Sequence, residues 1–350
     1  MKEYITIGMD LGDKYHIVVI LDNQGNEIEC RRVLNTKAHI SRFFSKYSGA
    51  KVAIESGTHS PWISRLLEDL DCIVLVGNPY KLRVIWDSND KSDERDARIL
   101  AMICRLEPRL LWPIQHRGIK AHTDLEIIKS RDTLVQSRTK VINCVRSKVK
   151  GIGERLPKCS AASFSSKVSD LIPEPLQSAL MPLMDIIQEM TYKIKELDKH
   201  INRLILEEYP EAESLLQVQG VGPVTALAYI LTIEDPSRFT KSRMVGPYLG
   251  LTPRRDQSGD IDKQLPITKA GNAYLRKLLV GCAHYIIGPF GPDSNLRRYG
   301  VNIAARGGKN ARKRAAVAVA RKLSVLLHRL WVTKQEYDPL YSMINLKKAA

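Results

Sequence analysis

Tyr4-Ile-Thr-Ile-Gly-Met-Asp-Leu-Gly12, His16-Ile-Val-Val-Ile-Leu21 and Glu27 to Val33 are three short runs separated by polar turns, the second of them Asn23-Gln-Gly-Asn26. They read as an antiparallel meander of strands. Working outward, Ser41 to Tyr47 reads as a helix, Lys51-Val-Ala-Ile54 as a short buried strand, Pro61 to Leu70 as a helix and Cys72-Ile-Val-Leu-Val76 as another strand. Three hairpin-linked strands followed by helix, strand, helix and strand is the element order of a ribonuclease-H-like α/β domain. Periodicity alone does not separate this fold from other α/β sheets, so element order and the placement of acids carry the assignment.

Two acids end buried runs. Asp10 closes the first strand in Gly8-Met-Asp10-Leu-Gly12, and Glu55 closes the fourth in Val52-Ala-Ile-Glu55-Ser-Gly57. Lys91-Ser-Asp93-Glu-Arg-Asp96-Ala97 adds two carboxylates three residues apart, which on a helix share one face. Alone, each has a plainer reading: Asp10 and Glu55 as turn residues, Asp93 and Asp96 as a capped helix start. Together, in this order within one α/β domain, they read as a metal site. Converging carboxylates repel one another at a buried site, and a divalent cation removes that cost. An all-oxygen set favours Mg2+, or Mn2+, over zinc. Such ions activate an attacking oxygen and stabilise the leaving oxygen of a phosphodiester.

From about Leu125 the pattern changes to long helices. Ile128, Val135, Ile142 and Val149 recur at steps of seven, while Leu183, Ile187, Met190, Ile194, Leu197, Ile201 and Leu204 alternate steps of four and three, a heptad seam. The serine-rich stretch from Lys158 to Pro175 suits a connection between two antiparallel helices. The expected organisation is a catalytic α/β domain over 1–115, a coiled-coil helical hairpin over 120–208, a mostly helical C-terminal domain over 213–335 and a loosely held tail over 336–350. The hairpin would pair with itself or with another subunit. In the third domain two helices meet at Gly220-Val-Gly222, and further helices cover Ala273 to Ile287 and Ala311 to Trp331. The Gly220 to Gly222 turn is either a plain tight turn or a helix-hairpin-helix whose N–H groups hold a phosphate.

A formal charge of +16 and a pI near 9.5 favour a polyanionic partner, nucleic acid first. Asn295 to Leu330 contains no acid but includes Arg297, Arg298, Arg306, Lys309, Arg312, Lys313 and Arg314, a composition that reads as phosphate contact. Lys129, Arg131, Arg138, Lys140, Arg146, Lys148 and Lys150 on the first long helix read either as an RNA-binding surface or as a solvated flank. Aromatic residues are 6% of the chain, which argues against extended base-stacking platforms. No run approaches the roughly eighteen apolar residues of a membrane span, and the opening reads as a strand, not a signal peptide. The expectation is a cytoplasmic, nucleoid-associated protein without a membrane partner. Six cysteines without any C-x-x-C spacing read as reduced thiols and not as a zinc site.

The boxes Gly-Met-Asp-Leu-Gly, Ala-Ile-Glu-Ser-Gly and Lys-Ser-Asp-Glu-Arg-Asp-Ala resemble those of the DEDD transposases of the insertion-sequence family numbered one hundred and ten. Gly220-Val-Gly-Pro223, Gly250-Leu-Thr-Pro253, Gln257-Ser-Gly259 and Ile267-Thr-Lys-Ala-Gly-Asn272, leading into Leu275-Arg276, extend the resemblance in the family's order over essentially the whole chain. The resemblance implies a recombinase with a RuvC-like domain, a coiled-coil dimerisation region and a C-terminal transposase domain, guided by a structured bridge RNA of its own element. It places the family's four acids on Asp10, Glu55, Asp93 and Asp96 and its nucleophilic serine on Ser258. Family members often carry two adjacent serines before the glycine; here Gln257 replaces the first. The tripeptide alone would read as a turn.

Ser258 follows Arg254 and Arg255, which with Lys269 complete the expected nucleic-acid contacts. Those arginines could stabilise charge on a pentavalent phosphorus, and a serine–DNA phosphodiester would conserve bond energy for rejoining. The expected activity is therefore metal-dependent cleavage and exchange of DNA strands by a homo-oligomer, a dimer or a tetramer. Two rivals remain at this point. One is a Holliday-junction-type nuclease using activated water in place of Ser258, and the other a nucleic-acid-binding scaffold without catalysis.

Overall fold

In β1 (Thr6–Leu11), β2 (Tyr15–Leu21) and β4 (Lys51–Glu55) successive residues are buried whichever way they point, as a sheet covered on both sides requires. The structure is a computed structural model and describes residues 5–82, 92–258 and 261–341. Its contacts divide the chain into two compact units, Met1–Arg117 and Gly118–Ala350.

In the first unit β1, β2 and β3 (Glu27–Leu34) form the antiparallel meander, and β4 and β5 (Ile73–Gly77) extend it in parallel. The strand order is β3-β2-β1-β4-β5. Helices α1 (Lys37–Phe44) and α2 (Ser60–Glu68) cover one face, where Ile40, Phe43, Phe44, Ile63 and Leu67 pack on Ile7, Met9, Val18, Ile20, Val52 and Ile54. Helix α1 begins four residues before the apolar run predicts, because the Thr36 side chain accepts from His39 N and caps it there. The other face carries α3 (Asp93–Leu106), with Ala97 and Ala101 against Ile17, Val19 and Leu21, and Leu100 and Cys104 beside Ala53.

The second unit is helical apart from one hairpin. Helices α4 (Ile119–Gly151) and α6 (Gln177–Glu207) pair antiparallel, since Lys120 meets Glu208, Arg131 meets Asp198 at 2.8 Å and Arg138 meets Thr191 at 3.1 Å. The buried edge of α6 is Leu180, Met184, Ile187, Thr191, Ile194, Ile201, Leu204 and Ile205. That differs from the apolar heptad of the sequence: polar Thr191 holds a core position opposite Arg138, and Leu183, Met190 and Leu197 lie half-buried at its flank. The serine-rich connection folds back at the tip through α5 (Phe164–Val168), burying Phe164 and Val168 against Val145 and Leu180.

At the root of the pair sit α7 (Ala212–Leu216) and α8 (Pro223–Ile233), the latter buried at every residue from Thr225 onward. Around it pack α9 (Val245–Tyr248), α10 (Ala273–Ile287), α11 (Asn295–Ala305) and α12 (Ala311–Thr333). Tyr229 donates to Ser324 O at 2.6 Å from the centre of this core. The expected loose tail is held over 336–341, where Tyr337 N donates to Gln217 and Asn295 N to Pro339 O; residues 342–350 lie outside the described residues. All six cysteines are free thiols, and burial pushes Cys72 and Cys104 up to about 11. Among the described residues no helix is long and apolar enough to cross a membrane.

Candidate active site

Asp10 and Glu55 lie one step beyond Met9 and Ile54, the last residues paired between the parallel strands β1 and β4. Side chains alternate between the faces of a strand. Gly8 and Ala53 face α3, so Asp10 and Glu55, two residues further along, face it too. Helix α3 runs antiparallel to β1. Its C-terminal Cys104 and Arg105 line a small cleft with Ile5, Thr6 and Lys51, where β1 and β4 begin, and Arg105 also reaches Asn23 O. Its first turn, with Asp93 and Asp96, is therefore at the end where β1 and β4 finish.

Gly8 sets how close that helix comes. A Cβ there would lie 1.9 Å from Ala97 O and 2.4 Å from Ala101 N, so only glycine admits this approach. The Ser92 side chain caps α3 by accepting from Arg95 N, and acids in a first turn are stabilised by the helix dipole. Asp10, Glu55 and Asp96 are half-buried and Asp93 is exposed. Asp10, Glu55 and Asp96 each have an interaction partner already. Among the described residues no three Asp, Glu, His or Cys side chains are gathered closely enough to hold a metal ion. The four acids share one end of one sheet face, and as an all-carboxylate donor set they suit a hard divalent cation.

The loop after Glu55 is tied down by residues that the sequence did not single out. Ser60, wholly buried, donates to Gly57 O at 2.8 Å, accepts from Gly57 N at 2.9 Å and lies 2.9 Å from His116 Nε2. Arg65 donates to Arg117 O, a second tie to the same segment. Fifty-odd intervening residues hide these contacts from any local pattern.

Ser258 ends β6 (Pro253–Ser258), which pairs antiparallel with β7 (Ile261–Ile267) in a two-stranded hairpin. Gln257 and Ser258, which the tripeptide alone would place in a turn, are thus in a strand, while Gly259 and Asp260 lie outside the described residues. Ser258 and Arg254 are exposed. Arg255 forms a bidentate ion pair with Asp262 across the hairpin, at 2.7 and 2.5 Å, and holds the Asp262 carboxyl below its usual range. The Gly250 box and the Lys269 box clasp each other at the hairpin base: Thr268 N donates to Thr252 O and Lys269 N to Gly250 O. Gly271, at φ +70°, lies so close to Tyr248 that a Cβ would fall 2.0 Å from its carbonyl oxygen. Arg276 locks the clasp by donating to Leu249 O and Ala270 O, leaving the Lys269 side chain exposed.

The other basic residues divide by role. Arg297 donates to Ile286 O and Gly288 O, Arg298 pairs with Asp293, and Arg314 donates to Gly307 O and Lys309 O, so all three hold local structure. Arg306, Lys309, Arg312 and Lys313 are exposed around the loop between α11 and α12. Gly220 takes φ +95° and Gly222 caps α8, whose first residue is Pro223.

The DEDD transposase pattern of the IS110 type matches residues 7–153, which contain all four acids. The pattern described as Transposase IS116/IS110/IS902 family matches residues 212–298, which contain Ser258 and its clasp. The chain is 26% identical over 341 residues to a probable family 20 transposase of Pseudomonas aeruginosa, covering 95% of this chain and 98% of that protein. It is 25% identical over 345 residues to the transposase for insertion sequence element IS1111A of Coxiella burnetii, covering 96% and 92%. Against the transposase for insertion sequence element IS1328 of Yersinia enterocolitica it is 26% identical over 295 residues, covering 81% and 84%. These likenesses define the class, a DNA transposase. The chain belongs to the IS110/IS116/IS902 family of insertion-sequence transposases.

Proposed function

We propose that this transposase cuts and rejoins DNA through a serine–phosphate linkage at Ser258, with Asp10, Glu55, Asp93 and Asp96 as oxygen ligands for magnesium. The observation that carries the reading is the placement of Asp10, Glu55 and the first turn of α3 at one end of one sheet face. On this reading the β3-β2-β1-β4-β5 sheet is a ribonuclease-H-like, RuvC-like fold. An all-carboxylate donor set favours a hard divalent ion, with manganese as the alternative to magnesium. Such an ion, when bound, polarises the phosphate and stabilises charge on the leaving oxygen.

The Ser258 oxygen forms a bond to phosphorus as the bond to the 3′ oxygen breaks; the serine proton passes to solvent and the 3′ oxygen takes one up. One phosphodiester replaces another, so a 3′ hydroxyl from a second strand reverses the step and rejoins DNA without a nucleotide cofactor. Exposed Arg254 supplies positive charge on the same strand as the serine. The acids and Ser258 belong to different units, and the reading requires them to meet on the DNA, from one chain or from two copies. Pairing of copies through a coiled coil of α4 and α6 and target choice by a structured bridge RNA complete it, supported by the formal charge of +16 and the exposed bases around 306–313.

The test is to incubate the protein with junction DNA, the element's RNA and Mg2+, then denature and look for protein covalently attached to DNA. Wild type should give the adduct, and Ser258→Ala and Asp10→Asn should not. Scission without an adduct replaces this reading with a water-using junction nuclease. Magnesium-indifferent binding without scission replaces it with a scaffold.

A further inference from the structure

Trp112 is fixed at its backbone and open at its side chain. Its backbone lies in the left-handed region, at φ 48° and ψ 59°, and its side chain is 53% exposed. A bulky residue is strained there, whereas glycine is not. The neighbours impose the bend. Leu111 is wholly buried and its carbonyl accepts from Asn78 N at 2.9 Å, while Ile114 N donates to Val76 O at 2.9 Å. Between these two anchors the chain reverses, and Trp112 N closes the turn onto Arg109 O at 3.0 Å.

The location supplies the partner. Glu55 pairs with Gly77 in the β4–β5 register, and the next residue, Asn78, is the one bonded to Leu111. Trp112 thus stands at the same end of the sheet as the acids. Lys81 Nζ lies 4.9 Å from the centre of its ring, and Tyr80, 69% exposed, precedes that lysine. Among the described residues Trp112 is the exposed tryptophan, since Trp62 is half-buried and Trp331 is buried. An exposed aromatic ring with an ammonium group over one face matches a nucleotide: a base stacks on the opposite face and its phosphate meets the lysine.

We propose that Trp112, with Lys81 and Tyr80, is a stacking platform for an unpaired DNA base beside the phosphate presented to the carboxylates. The proposal rests on the DNA-cleaving reading above, and it makes Trp112 a positioning residue.

Binding measured in EDTA, where strand cleavage does not enter, tests it. The full-length chain is titrated into a fluorescein-labelled 15-nucleotide dT oligomer and an abasic deoxyribose-phosphate oligomer of equal length. Wild type should prefer dT by roughly ten-fold, the scale of one stacked base. Trp112→Ala and Trp112→Gly should lose most of that preference with unchanged affinity for the abasic strand, and Trp112→Phe should keep most of it. Trp112→Gly also relaxes the backbone, so it should melt no lower than wild type and separates loss of stacking from loss of fold. Lys81→Ala should weaken both oligomers and reduce the logarithmic salt dependence by about one. The same preference in Trp112→Ala, no preference in wild type, or a Trp112-dependent preference confined to a ribo-oligomer would each overturn the proposal. Asp10→Asn should keep the preference while losing strand exchange, so this inference and the catalytic reading fail separately.

Discussion

The two candidate catalytic regions are built in opposite ways. Asp10 and Glu55 stand at the ends of strands inside a five-stranded sheet covered on both faces, and a wholly buried Met9 and Ile54 precede them. Ser258 stands exposed at the end of a two-stranded hairpin, which in isolation is marginal in water. The acids inherit their positions from a packed core. The serine inherits its position from a clasp of backbone hydrogen bonds and one arginine at the hairpin base.

The largest expected contrast comes from removing one group of each region. Asp10→Asn and Ser258→Ala should each lower strand exchange by at least about a thousand-fold while leaving the circular dichroism spectrum and melting temperature near wild type. Equal activity in either variant breaks the pairing of roles. Next, Gly8→Val forces a side chain into α3 where a Cβ already falls 1.9 Å from Ala97 O. It should destabilise the first unit by about 1–3 kcal/mol or more by overpacking, read as an earlier urea transition. A wild-type transition would show that α3 does not hold the approach described.

Arg276→Met tests the clasp. Two hydrogen bonds from a charged donor disappear, each worth about 1.5–3 kcal/mol. Hydrogen exchange should rise at 253–267 with no change at β1 or β4, and strand exchange should fall; protection unchanged at the hairpin would relocate what holds Ser258.

The smallest expected effect belongs to His16, wholly buried on β2, whose pKa burial lowers from its ordinary value of 6.5. The unfolded chain takes up a proton that the folded chain resists. Stability from this group is therefore full above the ordinary histidine pKa and is lost as pH falls through it. Between pH 7.5 and 5.5 the melting temperature should drop by on the order of a few degrees, and His16→Phe should flatten that slope. An equal slope in His16→Phe assigns it elsewhere.

The same contrast decides what the amino-acid sequence reveals. β1, β2, β4 and β5 were legible because buried strands are written as apolar runs, and Asp10 and Glu55 stood out as acids ending such runs. The β6–β7 hairpin was not legible, because Pro253-Arg-Arg-Asp-Gln-Ser258 has no apolar alternation and half of its pairing depends on residues beyond the turn. The seam of α6 was displaced because Thr191 occupies a core position opposite Arg138, a long-range pairing with no local signature. Helix α11 has no periodic signature for a related reason: of its eleven residues only Leu296 and Gly300 are buried, too few to set a period. Arg297, Arg298 and Arg314, read from composition as phosphate contacts, make local hydrogen bonds as well, a difference from exposed Arg306 or Lys313 that composition does not carry.

Manganese binding followed by electron paramagnetic resonance, with uncleavable DNA present and no turnover required, probes the carboxylate end most directly. Wild type should sequester Mn2+ from solution, and Asp10→Asn combined with Glu55→Gln should leave the free-ion signal undiminished. Full sequestration by that double variant would contradict the account.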